Sequence, residues 1–262
     1  MSYIDRVLDK INRGEVAVGT HIKWEGSTAV DVLSRSGFDY VWLDGEHGIF
    51  TRVQVADYIR AAHLNHTAVF HRIPYNKPEL TKPFLEMGVD AIIFPMINNR
   101  RDAEEAVKSV LYPPEGVRGF GPGMANDYGM MGFEEYLEQA KKVWKIIQIE
   151  HIDAVNHIDE ILSAEGVDAV IIGMYDLSGS MGVLAQLQSE KLLKACDYIA
   201  EKCKEYKKPF GSSISYDELL MSQWFARGAS FMTIGGDADF LVSGSKQAIE
   251  GAVSIYERVK KG

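Results

Sequence analysis

Two carboxylates stand next to apolar runs of this 262-residue chain in a way that could bind a cation. Glu150 comes directly after the run Trp144 to Ile149, and Asp176 follows the run Ala169 to Met174. If these runs are adjacent strands, like charges meet in a poorly hydrated place, which is costly unless a cation or a proton lies between them. Two protein oxygens, with the other positions left to water and substrate, are a usual way to hold Mg²⁺. The structural alternative is that each carboxylate caps the next helix or pairs with a lysine.

A histidine and an arginine add acid–base and electrostatic chemistry to these carboxylates. His47 follows Asp44 and Glu46 in a turn flanked by glycines, and a histidine beside a carboxylate can be oriented and kept basic enough to move protons near neutral pH. The alternative for His47 is a solvated or capping residue. Arg72 stands within an apolar run, where a guanidinium must meet an anion. That anion is either a structural partner such as Glu46 or the oxyanion of a reacting substrate.

The segments that must position these residues alternate between short β-branched runs and longer runs of helical period, which is typical of a parallel sheet with crossover helices. Eight strands are predicted, at 16–23, 40–45, 67–74, 91–97, 144–149, 169–174, 209–214 and 230–235. A helix is predicted after each strand, at 27–36, 51–64, 78–87, 101–111, 152–164, 190–206, 217–227 and 240–260.

One barrel domain is favoured over a doubly wound sheet with a second domain, because no linker or change of composition divides the chain. Residues 1–262 are therefore predicted to form a single α/β domain, a (β/α)8 TIM barrel with an extended C-terminal helix. The active site of such a barrel is built from the C-terminal ends of the strands. The longest irregular stretch, 112–132, is expected at that end and is expected to be functional.

Charge and composition exclude several classes of protein. The net charge of −9 has the wrong sign for a protein that neutralises the phosphates of a nucleic acid or an anionic membrane. No run approaches 18 apolar residues and the N-terminus lacks the apolar core of a signal peptide, so a cytoplasmic location is expected. Cys196 and Cys203 lie seven residues apart in one predicted helix, about 10 Å along its axis, and are expected to be reduced core residues.

Taken together, these motifs resemble those of the metal-dependent (class II) pyruvate aldolases of the 2-keto-3-deoxyglucarate and 4-hydroxy-2-ketoheptanedioate aldolase type. The resemblance extends from about Gly19 to the C-terminal helix, nearly the whole chain. It is carried by segments 37–48, 72–76, 112–119, 148–150 and 166–168, and by Asp176-Leu177-Ser178 with Met181-Gly182.

The resemblance implies a divalent-metal-dependent aldolase that cleaves and forms 4-hydroxy-2-oxoacids, with pyruvate and an aldehyde as the cleavage products. It implies that Glu150 and Asp176 hold Mg²⁺, Mn²⁺ or Co²⁺ and that His47 is the catalytic acid/base. Asp44 belongs to the same catalytic group, and Arg72 together with the ion would stabilise the pyruvate enolate.

The resemblance also assigns substrate-binding residues and an assembly. Gln148, the backbone at Tyr175 and Asp176 would contact the pyruvate unit, and Glu86 stands where the family commonly has an Asp that supports the basicity of His47. The expected assembly is a homohexamer, a trimer of dimers that exchange the last helix. Its partners would be small 2-oxoacids and aldehydes.

Three further positions depart from the family pattern. Met174 replaces a common Pro, His21 replaces a common Trp, and Asn126 replaces a common Arg. Loss of the cation at Asn126 weakens the case for an aldehyde that ends in a carboxylate.

Other chemistries on the same barrel are open. Lys23 is the one plausible lysine for a Schiff-base aldolase. Glycines and serines at 211–213 and 235–236 would suit the phosphate of a phosphosugar isomerase or lyase, although Asp237 and Asp239 beside them would repel it. A noncatalytic barrel that serves as a binding module is a further alternative, but packing does not demand so many polar groups in one lumen.

Overall fold

Eight parallel strands form a closed barrel in a computed structural model, which describes residues 3–24 and 26–261. The strands follow one another around the barrel in chain order. They are β1 (Ala17–Ile22), β2 (Tyr40–Asp44), β3 (Ala68–Arg72), β4 (Ala91–Phe94), β5 (Trp144–Ile149), β6 (Ala169–Ile172), β7 (Phe210–Ile214) and β8 (Phe231–Gly236). The predicted TIM barrel is confirmed.

Helices surround the barrel, and an extended one follows the last strand. They are α1 (Tyr3–Asn12), α2 (Ser27–Arg35), α3 (Arg52–Leu64), α4 (Pro78–Met87), α5 (Arg100–Val110), α6 (Phe133–Lys141), α7 (Ile152–Asn156), α8 (Ile158–Leu162), α9 (Met174–Ser180), α10 (Glu190–Glu205), α11 (Glu218–Arg227) and α12 (Asp237–Lys261). A 3₁₀ helix, η1, spans Met124–Gly129. Within 3–24 and 26–261, no helix is long and apolar enough to cross a membrane.

Two predictions about position are wrong. Strand β6 ends at Ile172, so Asp176 lies in the first turn of α9 and not at a strand end. Segment 112–132 follows α5, which runs back toward the N-terminal ends of the strands, so this segment begins at the end of the barrel opposite the one expected. The apolar Met174 fits a strand or a buried helix equally well, which is why the pattern extended β6 too far.

The barrel interior is filled by a layer of aromatic side chains below the polar residues. Tyr40 stacks on Phe70 with ring centroids 4.2 Å apart, and Trp144 and Phe231 complete the layer. Gly19 has no Cβ because the Tyr40 ring occupies that space. A larger apolar cluster between the strands and the helices includes the free cysteines Cys196 and Cys203, as predicted.

His71 points away from the lumen and is buried against the helices. Its ring centroid lies 3.8 Å from that of Phe84, and neither ring nitrogen has a hydrogen-bond partner among the described residues. Burial lowers the pKa of His71 from 6.5 to about 3. The native state therefore holds a neutral imidazole across the mildly acidic range.

Acid should destabilise the fold through this histidine. Between pH 6.5 and about 3 the unfolded chain binds a proton that native His71 does not, so the unfolding free energy falls as the pH is lowered below 6.5. From pH 6.5 to 5 the loss is about 1 to 2 kcal/mol for this one group. Urea denaturation of His71→Leu across this pH range should show a shallower pH dependence than wild type.

The matched control is His66→Asn, which removes an exposed histidine at a left-handed φ of 58° that asparagine tolerates. This variant should keep the wild-type slope. If the unfolding free energy of His71→Leu depended on pH as steeply as that of wild type, His71 would not be the source of the acid destabilisation.

Candidate active site

A buried ion pair joins β2 and β3 at the C-terminal end of the barrel. The parallel register places Asp44 beside Arg72, and Arg72 donates from Nε and Nη2 to the carboxylate at 2.7 to 2.9 Å. Asp44 is fully buried, and the guanidinium also lies 5.3 Å from the centre of the Trp42 ring. Burial alone would raise the pKa of Asp44, but Arg72 outweighs it and holds that pKa below its usual value.

The turn after β2 is organised by the same carboxylate. Asp44 Oδ1 accepts hydrogen bonds from the backbone N–H groups of Glu46 and His47, both at 3.2 Å. Glu46 turns back to Arg72, with Oε2 2.8 Å from Nη1. The His47 imidazole remains 61% exposed, 3.9 Å from Glu46. The structure therefore shows the ion-pair partners of Arg72 and leaves the ring of His47 free to meet a substrate.

Glu150 is a buried carboxylate at the end of β5. Its Oε1 accepts from the Met96 backbone N–H at 2.6 Å, and its Oε2 accepts from Gln148 Nε2. No lysine, arginine or histidine of the described residues lies within 4.0 Å of it. Burial, with smaller contributions from Glu46 and Asp176, raises the pKa of Glu150 to about 7.

Gly173 packs so closely against Glu150 that any side chain there would crowd the carboxylate. A Cβ at Gly173 would lie 3.0 Å from the Cβ of Glu150, 3.1 Å from Gln148 Nε2 and 3.2 Å from Glu150 Oε2. The missing side chain leaves space directly beside the carboxylate. Asp176 follows in the first turn of α9, where the helix dipole also favours a negative charge.

The charges at this end of the barrel suit a divalent cation. Asp44 and Glu46 take up the Arg72 guanidinium, while Glu150 and Asp176 have no ion-pair partner among the described residues and repel each other. Carboxylate oxygens with adjacent open space are the donor set that Mg²⁺ and Mn²⁺ prefer. Residues 3–24 and 26–261 contain no group of three or more His, Cys, Asp or Glu arranged to hold a metal.

An open cleft of about 410 Å³ covers this end of the barrel. One wall carries Arg72, Gln148, Tyr175 and Asp176, with His47 at the edge. The other wall comes from β1, β7 and β8, and its polar residues are His21, Lys23, Ser213, Ser215, Asp237 and Asp239. The His21 ring is tilted against that of Trp42, with ring centroids 4.5 Å apart, and hydrogen-bonds Ser213; burial lowers its pKa to about 3.

Two predicted residues do not join the cleft of their own chain. Glu86 lies in the last turn of α4, at the other end of the barrel, where its nearest cation is Lys82 at 3.8 Å. Asn126 lies in η1 and accepts from the Gly129 backbone N–H at 3.1 Å. Glu86 therefore cannot support His47 within one chain.

The segment that carries Asn126 borders a separate cavity. This cavity has a volume of about 490 Å³ and is lined by residues of α1, α3, α6 and the 118–131 region. Arg118 is among its lining residues, while none of the predicted site residues is. The cavity therefore lies apart from the cleft that holds the polar cluster.

Sequence reasoning missed the Met96 backbone N–H and the roles of His21 and Asp237. Met96 has a left-handed φ of 53°, which aims its N–H at Glu150. Asp237 is buried and accepts from the backbone N–H groups of Lys23 and Trp24 at 3.1 and 3.0 Å. These amides are thus occupied by a carboxylate, which disfavours a phosphate site at this wall.

Comparison with known proteins identifies the class. Residues 21–243 match the model of the HpcH/HpaI aldolase/citrate lyase family, and the chain belongs to this family. It is a carbon–carbon lyase.

The similar proteins are named aldolases. The chain is 30% identical over 227 residues to a 5-keto-4-deoxy-D-glucarate aldolase of an Enterobacter species, covering 85% of this chain and 87% of that protein. It is 30% identical over 238 residues to a 4-hydroxy-2-oxo-heptane-1,7-dioate aldolase of Shigella boydii, covering 88% of each. A crystal structure of an HpcH/HpaI aldolase from Desulfitobacterium hafniense superposes with a TM-score of 0.86 at 26% identity, covering 94% of this chain and 95% of that one.

Removing the guanidinium should destabilise the whole barrel end. Arg72→Met leaves the buried Asp44 carboxylate without its partner, which should cost about 3 kcal/mol or more of unfolding free energy in urea denaturation. The double variant Arg72→Met/Asp44→Asn should recover part of that loss, because the uncompensated charge is gone.

Arg101→Met is the matched control, since it breaks a pair with Glu105 whose side chains are 85% and 51% exposed. It should change stability by less than about 1 kcal/mol. Equal effects of Arg72→Met and Arg101→Met would contradict a structural role for the buried pair.

Proposed function

We propose that this chain is a divalent-metal-dependent aldolase that cleaves and forms 4-hydroxy-2-oxoacids, with pyruvate and an aldehyde as the cleavage products. The observation that carries the proposal is the pair of carboxylates, Asp176 on the wall of the cleft and buried Glu150 directly behind it, bonded to the cleft residue Gln148. The names of the two curated relatives support the substrate class. The whole chain, 1–262, would serve as one aldolase-type barrel domain.

Glu150 and Asp176 would hold Mg²⁺, Mn²⁺ or Co²⁺. The bound ion would act as a Lewis acid toward the 2-oxoacid and offset negative charge that develops during the reaction. Gln148 and the backbone at Tyr175 would orient the pyruvate unit. Arg72 would add a fixed positive charge near the developing oxyanion, while Asp44 holds the guanidinium in place.

His47 would move the proton. In cleavage its imidazole takes the proton of the C4 hydroxyl as the C3–C4 bond breaks, so that C4 becomes the aldehyde carbonyl and the electron pair passes to the pyruvate enolate. Protonation at C3 then gives pyruvate. In condensation the same ring returns the proton. Because Glu86 lies at the far end of its own barrel, any support from Glu86 to His47 requires a second subunit.

Helix α12 supports a homo-oligomer, with the hexamer as the assembly that we propose. Beyond Phe240 every described residue of this helix is exposed, including Val242, Ile249, Val253 and Tyr256 on one face. Burial of each of these side chains would contribute about 1.5 to 3 kcal/mol. Exchange of α12 between two subunits would cover this face. The cytoplasmic location stays a prediction.

Removal of metal should abolish the activity. After dialysis against a chelator, pyruvate release from 4-hydroxy-2-oxo-heptane-1,7-dioate should fall at least about hundredfold, and Mg²⁺ or Mn²⁺ should restore it. Glu150→Gln should lose Mn²⁺ binding in calorimetry and keep its circular dichroism spectrum. Glu201→Gln, on the exposed side of α10, is the matched control and should bind Mn²⁺ like wild type.

The Schiff-base alternative gives the opposite results. Full activity in chelator, together with a covalent adduct at Lys23 after borohydride treatment with pyruvate, would replace the metal mechanism. Loss of the folded spectrum in Glu150→Gln would show that this carboxylate is needed for structure.

Charges on the apolar face of α12 should break the assembly. Ile249→Glu/Val253→Glu should elute as a smaller species in size-exclusion chromatography with light scattering, because two carboxylates would be buried without partners. Glu250→Gln, on the same helix, should leave the mass unchanged. A wild-type chain that is already monomeric would contradict the proposed oligomer.

A further inference from the structure

The wall of the cleft opposite Glu150 carries a positive charge that the proposed chemistry does not use. In a closed barrel of eight strands in chain order, β1 lies four strands from β5 in either direction, and the two strands face each other across the lumen. Lys23 directly follows β1, and Glu150 directly follows β5. Lys23 and Glu150 therefore lie on opposite sides of the barrel mouth.

Lys23 has no ion-pair partner among the described residues. Its backbone N–H is bonded to Asp237, but no described carboxylate lies within 4.0 Å of its Nζ. Asp239 lines the same wall without pairing with it. The side chain is exposed and lines the cleft, so its ammonium group is available to a ligand.

The other basic groups of the cleft are committed elsewhere. Arg72 is paired with Asp44 and Glu46. His21 is half-buried and bonded to Ser213, and desolvation of its ring lowers its pKa to about 3, so it is neutral near pH 7. His47 lies at the edge beside Glu46. On the β1, β7 and β8 wall, Lys23 is thus the one described residue that offers a positive charge.

We propose that Lys23 is a specificity residue that binds a second carboxylate, at the end of the substrate remote from the 2-oxoacid. The proposal rests on the proposed function, because it assumes that the 2-oxoacid end lies at Glu150 and Asp176. The ammonium group pairs with the remote carboxylate, and Ser213 and Ser215 on the same wall offer hydroxyls to polar groups along the substrate. Asp237 and Asp239 line the same wall and would repel a carboxylate placed away from Lys23, so the ammonium group fixes where the remote carboxylate binds.

A cation at Lys23 bears on the asparagine at position 126, where the resembling family commonly has an arginine. Asn126 lies in η1, outside the cleft of its own chain, so its lack of charge does not remove the cation from this wall. Lys23 supplies one from β1 instead. Selectivity for a dicarboxylate is therefore compatible with asparagine at position 126.

Binding of two substrate analogues that cannot be cleaved tests the proposal separately from catalysis. 2-Oxoheptanedioate and 2-oxoheptanoate have equal length, lack the C4 hydroxyl, and differ only in the remote carboxylate. In calorimetry with Mg²⁺, the wild-type protein should bind the dioate about tenfold more tightly, as one charge-assisted hydrogen bond predicts. Lys23→Met should reduce that ratio below about twofold without changing the affinity for 2-oxoheptanoate.

Two control variants test whether the preference for the dioate depends on the positive charge of Lys23. Lys23→Arg should keep most of the preference, and Lys77→Met, at the same end of the barrel but outside the cleft lining, should keep all of it. The preference of the wild-type protein should weaken with ionic strength, and that of Lys23→Met should not.

A wild-type protein that binds both analogues equally, or a Lys23→Met variant that keeps the preference, would overturn the role of Lys23. Failure of the proposed function appears elsewhere, as the absence of metal-dependent pyruvate release from 4-hydroxy-2-oxo-heptane-1,7-dioate by the wild-type protein.

Discussion

The ion pair between Asp44 and Arg72 is the interaction on which this end of the barrel depends. Strand register brings the two residues side by side, and Asp44 then fixes three things at once: the guanidinium and the backbone N–H groups of Glu46 and His47. A buried pair of this kind gives little net stability over an apolar replacement, yet losing one partner is costly. It therefore serves chiefly to hold a positive group and a histidine in a set relation to the mouth of the barrel.

The proposed function requires an acidic chain to bind an anionic substrate, and a cation bound at the site would supply the missing positive charge. The net charge of −9 provides no long-range attraction for a 2-oxoacid, and the carboxylates around Arg72 make the site itself more negative. Bound cations are often the largest local charges in such sites and reverse their electrostatics. The negative net charge therefore favours solubility, while the few charged groups that line the cleft would select the substrate.

The sequence predicts the parts of the site that follow directly from strands. β-branched runs locate all eight strands, so Asp44, Arg72 and Glu150 are expected where the structure has them. Features that depend on how the elements pack cannot be predicted from the strand pattern. The N–H of Met96 has no sequence signature, because every residue except proline carries one. The position of Glu86 follows from the direction of α4, and a matching residue type does not reveal which end of the barrel it reaches.

Closure of the barrel has a consequence for how the chain acquires its structure. β1 pairs with β8, so Ala17 meets Phe231 only after the seven strands that follow β1 have been made. Contacts this distant in sequence form slowly, and until they form both edge strands expose unpaired backbone groups. α1 adds to this delay, since Ile4 and Val7 pack against the interior layer that includes Phe231. α1 and β1 thus wait for β8 before they find their final partners, and a chain interrupted before β8 keeps two open edges that invite association with other chains.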